Sequence, residues 1–150
     1  MNGWLLDTNV ISELSKPKPD RDVQHWVNSL EEHTLFLSIL TLAEYQKGIQ
    51  HLPPGAKLRP RLQQAVIALE ARFSGRILSV SDAVVLRWGT ISGEIKRLTG
   101  HSPSVIDTLL ASTAIEHGLY FATRNVVDVA NTGAAIFNPW KDDPARFPLV

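Results

Sequence analysis

Three acidic residues far apart in the chain, Asp7, Glu44 and Asp107, each stand where a fold could aim a carboxylate into a cleft. Asp7 directly follows the apolar run Trp4-Leu5-Leu6 and precedes Thr8-Asn9, which should open a helix, so its carboxylate lies at the carboxyl end of a strand. Taken alone, it could equally cap that helix. Glu44 flanks the apolar stripe Leu42, Tyr45, Ile49 and Leu52, where it could face a cleft or pair with Lys47 in solvent, a contact of only about 0.2–0.5 kcal/mol. Asp107 falls in the first turn of a helix signalled by Ser102-Pro103, where the helix dipole favours an ionised carboxylate. Thr108 and Ser112 give this otherwise apolar helix a polar edge beside the acid. A further polar cluster, Thr123-Arg124-Asn125-Val126-Val127-Asp128, follows the run Leu119–Ala122 and offers Asn125 and Asp128 as oxygen donors, or as ordinary loop and cap residues.

If these carboxylates converge, their mutual repulsion is relieved by a divalent cation. Oxygen donors suit the hard ions Mg2+ and Mn2+, which keep several waters and need few carboxylates. Zinc fits poorly, because His25, His33, His51, His101 and His117 show no paired ligand spacing and the chain has no cysteine. The same absence excludes disulfides and thiol catalysis, and no serine sits in a recognisable nucleophile setting.

The elements that must position these acids alternate in type. Trp4–Leu6, Leu35–Ser38, Arg76–Ser79 and Leu119–Ala122 are short apolar runs of β-formers, read as buried parallel strands. Between them lie amphipathic helices: one capped by Asp20 with Val23, Trp26, Val27 and Leu30 inward, one carrying Glu44, and one from Lys57 to Phe73 with Pro60 in its first turn. A fourth runs from Ser81 or Asp82 to about Leu98 with Gly100 as terminator; a fifth starts with Ser102 as cap and Pro103 at its first position, and stops at Gly118. Such alternation predicts an α/β fold, a central parallel β-sheet flanked by α-helices, with sites outside the carboxyl ends of the strands.

A length of 150 residues suits one domain spanning 1–150, and 44% hydrophobic with 20% charged residues is near the globular average. No apolar stretch approaches the roughly 20 residues of a membrane span, so a cytoplasmic location without membrane association is expected. Fifteen basic residues balance fifteen acidic ones, which gives no global case for nucleic-acid binding; acids pooled in one cleft would, however, leave the remaining surface net basic.

Four segments, LLDTNVISEL, TLAEYQKGI, VIDTLLASTAIEHGL and ATRNVVDV followed by IFNPW, together resemble the PIN-domain family, especially its VapC and FitB-like toxin branch, in order along nearly the whole chain. The resemblance implies a PIN-like fold and a Mg2+- or Mn2+-dependent endoribonuclease, usually the toxin of a toxin–antitoxin pair. It further implies homodimers and inhibition by a cognate antitoxin protein. Asp7, Glu44 and Asp107 match the family's acids, with Asp7 and Asp107 as principal metal ligands and Glu44 ligating or orienting water; Thr8, Asn9 and Thr108 are supporting residues. The departure is at the fourth place, directly after the Thr-Arg pair, where the neutral Asn125 stands and Asp128 lies three residues on. Single-stranded RNA is the expected substrate, because its backbone bends into a site a duplex cannot enter, with Lys16, Lys47 and Arg124 as candidate RNA contacts. Two other enzyme or signalling chemistries fit less well: a haloacid-dehalogenase-like phosphatase wants an aspartate where Asn9 stands, and a receiver domain wants an acidic pair and a late lysine. A degenerate PIN domain that only binds RNA or protein remains the alternative, suggested by Asn125.

Overall fold

The computed structural model describes residues 1–150. Five short strands, β1 (Trp4–Leu6), β2 (Leu35–Ser38), β3 (Ile77–Leu78), β4 (Tyr120–Ala122) and β5 (Ile136–Phe137), form one sheet in the order β3-β2-β1-β4-β5. Every pairing is parallel, and Trp4 at the centre lies opposite Leu35 on one side and Tyr120 on the other. Seven helices connect and cover the strands: α1 (Thr8–Leu14), α2 (Arg21–Ser29), α3 (Ile39–His51), α4 (Leu58–Arg72), α5 (Asp82–Thr99), α6 (Val105–His117) and α7 (Val126–Val129). This is the α/β sheet-and-helix arrangement that the alternating sequence pattern implies.

Burial of the sheet on both faces explains why its strands read as unbroken apolar runs. Trp4 and Leu6 point into a core shared with Val10 and Ile11 of α1, Val23 and Trp26 of α2, and Leu69 and Phe73 at the end of α4. Leu5, between them, points to the opposite face, where Leu110, Ala111 and Ala114 of α6 meet Phe121. Alternate residues of one three-residue strand thus tie two helical layers together. On the first face Trp4 packs against Trp26, Tyr120 and Phe137 at centroid separations of 5.1, 4.8 and 4.9 Å. Trp26, considered above among inward helix residues, is accordingly core, only 2% exposed.

Local signals set most helix ends. The Asp20 carboxylate accepts from the backbone N–H groups of Asp22 and Val23, and the Ser81 hydroxyl from that of Val84. Gly100 takes the left-handed conformation, φ 78°, that ends α5. The start of α6 departs from expectation. Ser104, not Ser102, is the cap; its hydroxyl accepts from the Asp107 N–H, so the helix begins at Val105 and Pro103 lies before it. Proline is harmless there, since it restricts the preceding residue to extended backbone. The shift places Asp107 at the third helical position, still within the first turn. Strand β5 has only two residues, too few for any periodicity, and although it opens the IFNPW segment the sequence reading assigns no strand there.

Gly3 joins the N-terminus to β1 through a tight passage. A Cβ there would lie 2.3 Å from the Thr34 carbonyl oxygen, a backbone atom that cannot swing aside. Gly3→Ala is expected to destabilise the fold by about 2–3 kcal/mol in urea titration. Gly93, on the open face of α5 with nothing within 4 Å of its would-be Cβ, is the control: Gly93→Ala should stabilise by up to about 1 kcal/mol.

Candidate active site

In the sheet order, β2 and β3 extend to one side of β1 while β4 and β5 extend to the other, so a topological switch point lies between β1 and β4. The crevice at the carboxyl ends of these two strands is where α/β sheets hold ligands. Asp7 stands there, at the end of β1, and Thr123 stands beside it at the end of β4. A cleft of about 420 Å³ opens above them, lined by Asp7, Glu44, Asp107 and Asn125, with Glu13, Lys16, Arg124 and Trp140 on its rim.

Asp7 both caps α1 and faces the cleft, so the two readings of its sequence position hold together. One carboxylate oxygen accepts from the Thr8 N–H at 2.7 Å; the other accepts from the Thr123 hydroxyl at 2.7 Å and the Asn9 amide at 3.1 Å. Thr123 is completely buried, and its hydroxyl is fully used. It donates to Asp7 and accepts from the Asn125 N–H at 3.0 Å and the Asn9 amide at 3.2 Å. The Asn9 oxygen in turn accepts from the Arg124 N–H at 3.3 Å, stitching the loop after β4 to the first turn of α1. Asp7 therefore has its direction fixed from both strands. Despite these bonds, burial pushes its pKa up from 3.8 to about 6, and the nearby charges of Asp107 and Glu44 add to the rise.

Glu44 and Thr8 are coupled across the cleft. The Thr8 hydroxyl lies 3.0 Å from the Glu44 carboxylate and 3.1 Å from the Thr41 hydroxyl. With one proton to give, Thr8 donates to the carboxylate and accepts from Thr41. Asp107, half-buried at the N-terminus of α6, completes the acidic wall. No three acidic or imidazole side chains are gathered closely enough to make a finished metal cage. The acids share one cleft with separate anchors, which is compatible with an ion that retains waters between itself and some of its ligands.

The remaining residues singled out in the sequence are placed less uniformly. Asn125 lines the cleft, whereas Asp128 lies on the neighbouring hollow with Lys141 and Asp142. Thr108 is buried, and its hydroxyl donates back to the Ser104 carbonyl within α6 at 2.7 Å. Lys47 borders a separate hollow formed by Leu40, Ala43, His51 and Ile106, which shares Glu44 with the acid cleft. Lys16 and Arg124 do line the cleft. Sequence reading missed Glu13 and the roles of Thr123 and Trp140, which it placed only within a polar cluster and the IFNPW segment. The role of Thr123 has no local signal, since it arises from the pairing of β1 with β4. Glu13 was legible: Asn9 and Glu13 share one face of α1, with Lys16 following at i+3 just past its end. Its carboxylate, only 6% exposed as a residue, accepts from the Lys16 ammonium at 3.0 Å and the Trp140 indole N–H at 3.3 Å. The bond from Lys16 holds its pKa below the ordinary glutamate value.

A five-stranded parallel sheet with an acid-lined cleft at its switch point, all oxygen donors and no thiol or imidazole, defines a PIN-like α/β protein of the kind suited to hard divalent cations. The chain belongs to the PIN-domain family, whose model matches residues 4–127. It is similar to Toxin FitB of Neisseria gonorrhoeae, 38% identical over 141 residues, covering 92% of this chain and 99% of that protein. VapC ribonuclease Y4jK of Sinorhizobium fredii is 34% identical over 140 residues, covering 91% and 97%. Among solved structures, the FitAcB crystal structure from Neisseria gonorrhoeae superimposes with a TM-score of 0.80 at 34% identity, covering 91% of this chain and 98% of that one. The Rickettsia felis VapBC2 complex with a promoter DNA fragment has a TM-score of 0.74 at 21% identity, a likeness of fold.

Proposed function

We propose that this protein is a Mg2+- or Mn2+-dependent endoribonuclease that hydrolyses single-stranded RNA, the toxin of a toxin–antitoxin pair. The observation that carries the reading is Asp7: a carboxylate buried at the switch point, braced by Thr8, Asn9 and Thr123, with two further acids close enough to raise its pKa. A protein has little reason to keep such a charge desolvated without a cation to meet it. Asp7 and Asp107 are the principal ligands in this reading, with Glu44 ligating or orienting water, and the Asn125 amide oxygen is a neutral donor at the fourth place. A divalent ion held by these residues would supply positive charge against the scissile phosphate and would lower the pKa of water for in-line attack. The chain's own part is to aim the carboxylates. Thr8 fixes Glu44, and Thr123 with Asn9 fixes Asp7. The four carboxylates of the cleft outnumber Lys16 and Arg124, so RNA phosphate is repelled until a cation is present.

The toxin assignment is supported by the similarity to Toxin FitB and VapC ribonuclease Y4jK. It carries the expectation of a cognate antitoxin that blocks the cleft, a homodimer, and a cytoplasmic site of action. No helix is long and apolar enough to cross a membrane.

The test is cleavage of a labelled single-stranded RNA and its matched duplex. Cutting of the single strand with Mg2+ or Mn2+, its loss in chelator and its return on adding metal are expected. A second reading, a degenerate PIN domain that binds RNA without cutting it, draws on the neutral Asn125 and the absence of a closed cluster. Tight RNA binding with no cleavage under any divalent cation would favour it and overturn the nuclease.

A further inference from the structure

Trp140 closes the IFNPW segment, beyond residues 4–127 of the family match; it packs against the core and also lines the cleft among charged residues. Its indole N–H donates to the buried Glu13 carboxylate, and its backbone N–H donates to the Asn138 side-chain oxygen at 3.0 Å. Lys16 engages the same Glu13 carboxylate. Neither contact belongs to the bracing of Asp7, Glu44 or Asp107. Over the indole ring, at 5.0 Å from its centroid, lies the Arg124 guanidinium. Arg59, Arg72, Arg76 and Arg87 are held by the Leu52 carbonyl, Glu32 and Glu116, whereas Arg21, Arg61, Arg97 and Arg146 are unpaired but line neither the acid cleft nor an indole ring. Arg124 forms no side-chain hydrogen bond or ion pair, and its backbone is anchored through Asn9. It is exposed, and it forms the ridge between the acid cleft and a second hollow of about 530 Å³ lined by Val126, Val127 and Asn138.

We infer that Trp140 and Arg124 form a stacking platform for one unpaired RNA base adjoining the scissile phosphate, with Glu13 fixing the indole from beneath. This rests on the ribonuclease reading for the identity of the ligand. A planar cation already seated on an indole presents its other side as a flat, positively charged surface, the kind on which splayed-out bases stack. A base is also the part of RNA best suited to this wall. It is neutral, so the acids opposite do not repel it, whereas a phosphate entering the cleft needs the cation first. Stacking requires an unpaired base, which gives the site a physical reason to prefer single strands over duplex. Lys16, held by Glu13, is left to meet the backbone at the cleft's edge. In this arrangement Trp140 and Arg124 are positioning residues: they seat the strand and do not touch the reacting atoms.

The experiment places a single abasic nucleotide at successive positions of an RNA oligonucleotide. Binding is measured by fluorescence anisotropy with Ca2+ in place of Mg2+ or Mn2+, so that the cleft's charge is met without cleavage, and cleavage is measured with Mg2+ or Mn2+. In wild type, one position next to the cut should carry an affinity penalty of roughly 5–100-fold, the others little. Arg124→Lys keeps the charge but removes the plane, and Trp140→Leu removes the platform. Both should weaken the intact RNA and erase the penalty at that one position, raising KM with kcat nearly unchanged. Trp140→Phe keeps a ring and should retain most of the penalty. A flat abasic profile in wild type, or an Arg124→Lys enzyme with the wild-type profile, overturns the proposal. Because the profile is read from binding, it can stand if cleavage is never seen, and it can fall while Asp7-dependent cleavage persists.

Discussion

Asp7→Asn is expected to lower metal-dependent RNA cleavage by about 10³-fold or more while making the metal-free protein more stable, a combination that separates a working carboxylate from a structural one. The loss follows from removing a negative ligand whose partner ion supplies several kcal/mol of charge stabilisation at the phosphate, each 1.4 kcal/mol being about tenfold in rate. The gain follows from burial. Asp7 is 5% exposed and its pKa is raised from 3.8 to about 6, so near neutral pH the fold holds an ionised carboxylate that burial disfavours, at a cost on the order of 3 kcal/mol relative to the unfolded chain. Asparagine removes that charge and can still accept from the Thr8 N–H. Its own NH₂ would meet the Asn9 amide and the Thr123 hydroxyl, both of which now donate to that carboxylate oxygen, and the loss of their acceptor returns part of the gain. A net stabilisation of about 1–2 kcal/mol is expected, or several degrees in thermal unfolding for a chain of this size. Adding Mg2+ should then raise the wild-type midpoint and leave Asp7→Asn unmoved, because only a protein that binds the ion gains from it. A variant that is both inactive and less stable than wild type would instead mark Asp7 as a helix cap.

Bracing of this kind shows how far a sequence can be read. Asp7, Asp20, Ser81 and Gly100 were legible because their roles are local: a carboxylate at a strand end, a hydroxyl before a helix, a glycine where φ is positive. The α/β class followed from the alternation of apolar runs and amphipathic stripes for the same reason. What was not legible depends on partners distant in the chain. Thr123 is 116 residues from the carboxylate it holds, and Trp140 is 127 from Glu13. Ser104 displaced Ser102 as a cap because a proline signal is ambiguous by two residues, and only the backbone decides which hydroxyl reaches an N–H. Asn125 and Asp128 illustrate the limit most directly. Both are side-chain oxygen donors in one short segment, but a helical turn begins at Val126, which carries Asp128 to the neighbouring hollow and leaves Asn125 at the edge of the cleft. Position in the chain cannot rank them; the direction of the turn does.

The second large effect is on pH. A proton and a divalent cation compete for the same Asp7 carboxylate, so at limiting metal kcat/KM should fall about tenfold per pH unit below about 6, approaching 100-fold by pH 4. The sign is opposite for the stability of the metal-free fold. Asp7 has a folded-state pKa above its unfolded value, so its contribution is fully present below 3.8 and is lost as pH rises through about 6. Metal-free protein should therefore gain stability as pH falls from 7 toward 5, while activity declines. Glu13 and Glu32 act in the other direction, their pKa values lowered by the bonds from Lys16 and Arg72, and their contributions disappear only as pH falls below the ordinary glutamate value of 4.5. The two windows overlap only between 3.8 and 4.5, so the sign of the slope between pH 5 and 7 reports Asp7. Competition adds a sharper requirement: raising the metal concentration tenfold should move the acid limb of cleavage to lower pH by up to one unit, because the ion displaces the proton. A limb that stays fixed as metal is varied would mean that the titrating group is not a ligand, and the cleft would then need a different chemistry from the one its three acids suggest.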